Sequence, residues 1–188
     1  MTADVITAAF DATAALHHEW AATHQAELIR AAGVITTALA NGGQVLSFGN
    51  GGSATDAQHL AGELVGRFLK ERRALPAVAL TTDAGILTAL GNDYGFDAVF
   101  VRQIEALGRR GDVAVGITTS GTSPNVTRAL VAARERGLTT IALTGRDGGE
   151  TGRVADVHLN VPSTSTPRVQ EVHRTILHVL CELIEKEL

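Results

Sequence analysis

The sequence predicts an α/β fold: a doubly wound, five-stranded parallel sheet with helices at its N-terminal end. Five short apolar runs alternate with helical stretches, and continuous apolar runs are typical of strands that are buried on both faces. Strands joined through helices must be parallel, because each helix returns the chain to the same end of the sheet. We expect strand order 2-1-3-4-5, which leaves a crevice at the carboxyl ends of strands 1 and 3.

The chain begins with a helical segment, residues 1–40, in which apolar residues recur at intervals of three and four. This segment holds two helices or one kinked helix and ends at a stretch of Asn and Gly. We assign residues 41–188 to one α/β domain. Its predicted strands are 45–48, 77–80, 113–117, 140–143 and 157–161. Its predicted helices are 53–68, 83–90 with 96–107, 123–136 and 167–186, and the glycine-rich stretch 145–153 holds only a brief helix.

Composition argues against several classes of function. The formal net charge is −4 and aromatic residues make up 4% of the chain, so nucleic acid is not an expected partner. No run approaches the ~18 apolar residues of a membrane span. The single cysteine, Cys181, reads as a packed thiol, and the first residues do not resemble a secretory signal, so we expect a cytoplasmic protein. The basic pairs Arg72–Arg73 and Arg109–Arg110 are interpreted as solvated surface.

Two polar turns follow predicted strands 1 and 3. The first is SFGNGGS, from Ser47 to Ser53, and the second is TTSGTSPN, from Thr118 to Asn125. Ser53 and Ser123 are suited to N-cap the helices that follow, and the free N–H groups of a helix N-terminus bind anions. Each turn alone is also consistent with an ordinary strand-to-helix connection. Together at one crevice they favour a phosphate site, and without GxGxxG spacing or a P-loop lysine they favour a sugar phosphate over a nucleotide.

Three side chains are candidates for acid/base or metal chemistry. His59 and Glu63 are four positions apart, so they project from the same face of the first crossover helix. Such a pair is also common on solvated surfaces, but its place beside the first turn favours a functional role. His178 lies among apolar residues of the last helix, where a core histidine is an equally good interpretation.

The chain resembles the phosphoheptose isomerases of the sugar isomerase (SIS) domain family in five runs: GNGGSATDAQHLAGELVGRF, ALGNDYGFDAVFVRQIEALGRRGD, ITTSGTSPN, ALTGRDGG and RVQEVHRTILHVLCELIEKEL. The resemblance extends from about residue 44 to the end. It implies an SIS domain with flavodoxin-like strand order over residues 41–188. It also implies a homotetramer in which the segment 1–40 packs on the domain and between subunits.

The same resemblance implies conversion of sedoheptulose 7-phosphate to D-glycero-D-manno-heptose 7-phosphate through an enediol or enediolate, the first step of heptose biosynthesis for bacterial surface glycans. It makes Glu63 the base at carbon and His178 its acid/base partner. It implies zinc as a cofactor, with ligands His59, Glu63, Gln170 and His178. Including the glycines of the first turn, the expected substrate-binding residues are Asn50, Gly51, Gly52, Ser53, Asp93, Thr118, Thr119, Ser120, Ser123 and Gln170.

Three positions depart from the family pattern. Gly62 stands where an acidic residue is usual, Thr118 replaces a serine, and Pro167 replaces a small or polar residue. We expect these changes to alter sugar preference without removing the acid/base pair.

Gln170 and His178 are eight positions apart, about 12 Å along a regular helix, which is a long span for two ligands of one ion.

Two other functions remain open at this point. One is a non-catalytic SIS-domain regulator that binds the replication initiator, which the chain resembles around LPAVALTTDAGILTAL. That relative lacks a histidine at the position of His178, so the presence of His178 with Glu63 favours an enzyme. The other is a different sugar-phosphate isomerase, or a lyase of the same superfamily.

Overall fold

The computed structural model describes residues 2–188, so Met1 of the predicted segment 1–40 lies outside the described residues. Within them, five strands form one parallel sheet in the order β2-β1-β3-β4-β5. The strands are β1 Val45–Gly49, β2 Ala77–Ala79, β3 Val113–Thr118, β4 Thr139–Gly145 and β5 Val157–Val161. The predicted fold class and strand order are therefore confirmed.

Eight α-helices and a short 3₁₀ helix accompany the sheet in residues 2–188. They are α1 Thr2–Thr23, α2 Gln25–Ala40, α3 Gly52–Val65, α4 Ala84–Tyr94, the 3₁₀ helix Phe96–Ala98, α5 Val101–Leu107, α6 Pro124–Glu135, α7 Gly149–Val154 and α8 Thr166–Glu187. The N-terminal segment is two helices that meet at His24. The predicted helix 96–107 is divided into the 3₁₀ helix and α5.

Side chains of the sheet alternate between two apolar layers. Val45 of β1 joins the layer formed with α1, α2, α3 and α8, whereas Leu46 and Phe48 join the layer formed with α5 and α6. Successive side chains of a strand point to opposite faces, so apolar residues at nearly every position fill both layers. The N-terminal helices belong to the first layer, where Trp20 is buried and its indole N–H donates to the Asn160 carbonyl oxygen at 2.7 Å. The boundary at residues 40 and 41 stays a prediction.

Strand β1 lies between β2 and β3, and α3 and α6 leave β1 and β3 toward opposite faces of the sheet. The turns after these two strands therefore face each other across the crevice that such a crossover creates. Helix α4 has no buried residue, although Asp83 caps it by accepting a hydrogen bond from the Ile86 N–H at 2.8 Å. Among the described helices, none has the length and apolar character needed to cross a membrane.

The remaining sequence interpretations concern which side chains are buried and which are exposed. Cys181 is buried, as expected, and burial raises the pKa of its thiol to about 12. Arg73, Arg109 and Arg110 are exposed. The interpretation of Arg72 as solvated surface was wrong, because its side chain is only 6% exposed and pairs with the buried carboxylate of Glu185.

Candidate active site

The first turn carries the chain from β1 directly into α3. Gly51 is the N-cap with φ +57°, a conformation that glycine adopts without strain, and α3 begins at Gly52. The prediction that Ser53 caps this helix was wrong, because the N-cap is Gly51 and the backbone enters the helix two residues earlier. Ser53 instead lies in the first helical turn and is buried. Its position still places it among the N–H groups at the positive end of the helix dipole.

The second turn is a cluster of hydroxyl groups. Ser123 is the N-cap of α6, as predicted, but its hydroxyl makes no capping hydrogen bond. It lies 2.8 Å from Thr118 Oγ1, which is also 3.2 Å from Ser120 Oγ. The N–H of Thr122 donates to Ser120 Oγ at 3.2 Å. These contacts fix several neutral donors at the N-terminus of α6, an arrangement suited to a phosphate.

A pair of asparagines joins the two turns. The side-chain amides of Asn50 and Asn125 exchange two hydrogen bonds, each of 2.9 Å. Asn125 is buried and also accepts from the Val126 N–H at 3.0 Å. No role was predicted for Asn125, although this residue ends the second polar turn. The pair sets the separation of the turns across the crevice.

His59, Glu63 and His178 come together between α3 and α8. Nε2 of His59 lies 2.8 Å from Nε2 of His178 and 3.2 Å from Oε1 of Glu63. One ligand atom from each of the three residues lies within 4.8 Å of the others, and all three side chains are half-buried. A carboxylate and two imidazoles thus converge on one point between α3 and α8.

The donor set of this cluster fits zinc. Imidazole nitrogens and carboxylate oxygens are usual zinc ligands, and two Nε2 atoms that face each other can both direct lone pairs at an ion. Burial lowers the pKa of His59, and the positive charge of Arg174 and the neighbouring His178 lower it further against the opposing effect of Glu63. The neutral imidazole is the form that binds metal.

Gln170 lies closer to the first turn than to this cluster. Its side-chain amide packs so closely on Gly52 that a Cβ there would overlap it. Gly52 precedes His59 by seven positions, about 10 Å along a helix.

Asp93 lies exposed on α4 and accepts a hydrogen bond from Asn92 at 2.7 Å. In the described chain, no hydrogen bond links Asp93 to another predicted site residue.

A cavity of about 540 Å³ opens between the beginnings of α3 and α8, beside Gly52 and Gln170. Asp56 and Arg174 line it and form an ion pair of 2.7 Å. Burial raises the pKa of Asp56, although the charge and hydrogen bond of Arg174 oppose this shift. Neither residue of this pair was predicted to belong to the site. Asp56 and Arg174 precede His59 and His178 by one helical turn, and that spacing was the only sequence signal for them.

Comparison with known proteins identifies the protein family to which this chain belongs. A model of the SIS domain matches residues 10–145. The chain therefore belongs to the SIS domain family. The match covers β1, β3 and both polar turns, and so includes the predicted phosphate site.

More similar proteins narrow this assignment. A phosphoheptose isomerase of Aquifex aeolicus is 62% identical over 160 residues, 85% of this chain and 84% of that protein. The structure of a phosphoheptose isomerase from Neisseria gonorrhoeae matches with a TM-score of 0.94 and 46% identity, covering 99% of this chain and 100% of the other. One from Francisella tularensis matches with a TM-score of 0.95 and 39% identity over 99% of both chains. Within the family, this chain groups with the phosphoheptose isomerases.

Proposed function

We propose that the protein converts sedoheptulose 7-phosphate to D-glycero-D-manno-heptose 7-phosphate by acid/base catalysis through an enediol or enediolate. The broader activity, isomerisation of a heptose phosphate, is that of the group to which the chain belongs. One observation carries the proposal: Glu63 of α3 and His178 of α8 meet at His59, on the helix that begins at the first polar turn.

The reaction assigns a separate task to each of these two residues. Ketose-to-aldose isomerisation removes a proton from C1 and returns one to C2, while a proton is added at O2 and removed at O1. Glu63 would move the proton between the carbons. His178 would give a proton to O2 and take one from O1, so that no full negative charge builds up on oxygen.

The two turns would hold the phosphate and the sugar chain. Neutral hydroxyls and N–H groups at two helix N-termini provide several donors for the phosphate oxygens. The proposed phosphate contacts are Ser53, Thr118, Thr119, Ser120 and Ser123, with the backbone of Gly51 and Gly52. Asn50, Asp93 and Gln170 would contact the sugar.

A panel of ketose phosphates of five to seven carbons tests this function. We expect the seven-carbon substrate to give the highest kcat/KM, because the distance from phosphate turns to acid/base pair sets the chain length that fits. Preference for a shorter sugar would contradict the substrate and would implicate the departures at Gly62, Thr118 and Pro167. Sugar-phosphate binding without turnover of any substrate would favour the non-catalytic regulator.

Zinc would be held by His59, Glu63 and His178, with Gln170 as the fourth residue implied by the family. When bound, zinc would supply a Lewis acid for the substrate carbonyl. A carboxylate held by a metal is a weaker base, so the two proposed roles of Glu63 compete.

Metal content tests the zinc site independently of activity. We expect protein purified without chelator to bind zinc, and His59→Gln to weaken its affinity more than about tenfold, because an imidazole ligand is lost. Titration with a zinc indicator measures this. The exposed His18→Gln is the control, and equal affinities of the two variants would rule out His59 as a ligand.

We also propose a cytoplasmic homotetramer in which residues 1–40 pack between subunits around the domain 41–188. The free thiol of Cys181 agrees with a reducing compartment. Val5, Ile6 and Phe10 of α1 are 70%, 58% and 74% exposed, so a single chain leaves an apolar face in water. Light scattering at micromolar concentration should give the mass of four chains, and a monomeric mass would contradict the proposal.

A further inference from the structure

A buried carboxylate on α8 organises the segment that follows α3. Oε1 of Glu185 accepts a hydrogen bond from the Phe68 N–H at 2.8 Å, and Oε2 accepts from the N–H groups of Leu69 and Lys70, each at 2.9 Å. The Glu185 side chain is only 2% exposed. Burial by itself raises its pKa, but these three N–H groups and Arg72 outweigh burial and lower the pKa. Glu185 therefore remains charged and holds three consecutive residues in place.

Arg72 connects the same carboxylate to the end of α3. Its Nε lies 3.1 Å from Oε1 of Glu185. Its other nitrogens donate to the carbonyl oxygens of Glu63, at 2.7 Å, and Leu64, at 2.9 Å. Carbonyl groups of a last helical turn lack partners within the helix, so the guanidinium fixes the turn of α3 that carries Glu63.

Phe68 connects the carboxylate to the other side of the cluster. Its ring stacks on the imidazole of His178, with centroids 5.3 Å apart and an interplanar angle of 24°. His178 precedes Glu185 on α8 by seven positions, about two turns. The ring of Phe68 restricts the orientations open to this imidazole, whose Nε2 faces His59.

We infer that Glu185 and Arg72 are positioning residues for the acid/base cluster: they clamp Phe68 onto His178 and hold the end of α3 at Glu63. Neither residue touches the cluster's reacting side chains directly. Proton transfer requires the acid and base to be placed within fractions of an ångström, so a clamp on both helices affects turnover more than substrate binding.

Four substitutions test the clamp. Glu185→Gln keeps the shape of the side chain but loses the charge that holds the three N–H groups and Arg72. Phe68→Leu removes the stacked ring, and Phe68→Tyr keeps it. Glu182→Gln is the matched control, because Glu182 lies on the same helix with its side chain 48% exposed and pairs with the exposed Lys186. Circular dichroism checks that each variant folds.

Two readouts distinguish positioning from general stability. The first readout is steady-state kinetics, which relies on the proposed function. Here Glu185→Gln and Phe68→Leu should each lower kcat about tenfold to a hundredfold. KM should stay within about twofold, and Phe68→Tyr and Glu182→Gln should resemble the wild type. In NMR spectra of the histidine rings, the His178 signals should lose the ring-current shift from Phe68 in Glu185→Gln and Phe68→Leu, but not in the other two variants.

The NMR readout is independent of any activity. If the wild type fails to turn over heptose phosphate, the proposed function fails. Unchanged His178 signals in Glu185→Gln would instead overturn the positioning role of Glu185 and would leave the proposed function intact. A wild-type kcat in Glu185→Gln, with an active parent enzyme, would equally overturn it. If Glu185→Gln does not fold, the comparison of Phe68→Leu with Phe68→Tyr decides, since equal kcat and equal His178 signals in that pair would overturn the role of the ring.

Discussion

Replacing Glu63 with Gln is expected to lower kcat by about a thousandfold, because an amide cannot take a proton from carbon and general-base catalysis contributes about 10²–10⁴-fold. KM should change much less, since the phosphate turns are separate from this helix face. His178→Gln should have a comparable effect on kcat through loss of proton transfer at the oxygens. Both variants should keep the wild-type fold, because both side chains are only half-buried.

Steady-state kinetics with sedoheptulose 7-phosphate, alongside circular dichroism, measures these effects. His18→Gln and Glu182→Gln provide the matched controls, because both alter exposed side chains of the same types. Normal turnover in Glu63→Gln or in His178→Gln would remove the role proposed for that residue. The double variant Glu63→Gln with His178→Gln should be little worse than either single variant, because residues that act as a unit are strongly non-additive.

His59 separates the metal from the proton chemistry. It lies beside both Glu63 and His178 but has no proposed role in moving a proton. A His59→Gln variant that loses zinc and keeps most of its kcat would indicate that the proton transfers proceed without the ion. Loss of both together would indicate that turnover depends on the zinc ion that His59 holds.

The sheet could be predicted from the sequence because each strand is a short, continuous apolar run. Val45 and Leu46 are neighbours in β1 and pack in different layers, yet both are apolar. Only a strand that is covered on both faces needs apolar residues at successive positions. The need for crossovers made the strands parallel, whereas the order 2-1-3-4-5 was the doubly wound arrangement that we favoured and that the family resemblance also implied. The beginning of α3 was misplaced, because a backbone turn at Gly51, rather than the capping preference of Ser53, decides where the helix starts.

The residues around the site were harder to predict because their partners are distant in sequence. Arg72 looks like a surface residue until α8 brings Glu185 against it. Asn125 pairs with Asn50, 75 positions away, and only the folded sheet brings their turns together. In contrast, His59 and Glu63 share one helix face through local spacing alone, so sequence reasoning could group them.

The second turn is the other place where one substitution should have a large effect. Gly121 has φ +70°, and a Cβ there would overlap the carbonyl group of Gly148 in the turn after β4. Its own carbonyl oxygen accepts a hydrogen bond from the Thr151 N–H at 3.0 Å, so the turn cannot move away without losing that bond. Both backbone strain and overlap therefore oppose any side chain at this position.

Gly121→Ala is expected to lower the free energy of unfolding by about 2–4 kcal/mol, from about 1–2 kcal/mol of left-handed strain and about 1–2 kcal/mol of overpacking. Gly42→Ala is the matched control, because the exposed Gly42 in the turn after α2 has φ +82° but no atom within 4 Å of its Cβ position. It should lose only the strain, about 1–2 kcal/mol. Urea unfolding at one protein concentration measures both losses, and equal losses would contradict the predicted overlap.

Sugar-phosphate binding should distinguish the same two variants in a second way. A shift of the Gly121 backbone would displace the neighbouring hydroxyls of Ser120 and Ser123, which are held by their contacts with Thr118. Gly121→Ala should therefore raise the Kd for sedoheptulose 7-phosphate by about tenfold or more, the effect of losing one to two hydrogen bonds to a charged group. Isothermal calorimetry in the Glu63→Gln background, where turnover is slow, measures this Kd. An unchanged Kd would separate the second turn from the phosphate and would leave the N-terminus of α3 as the remaining site for the anion.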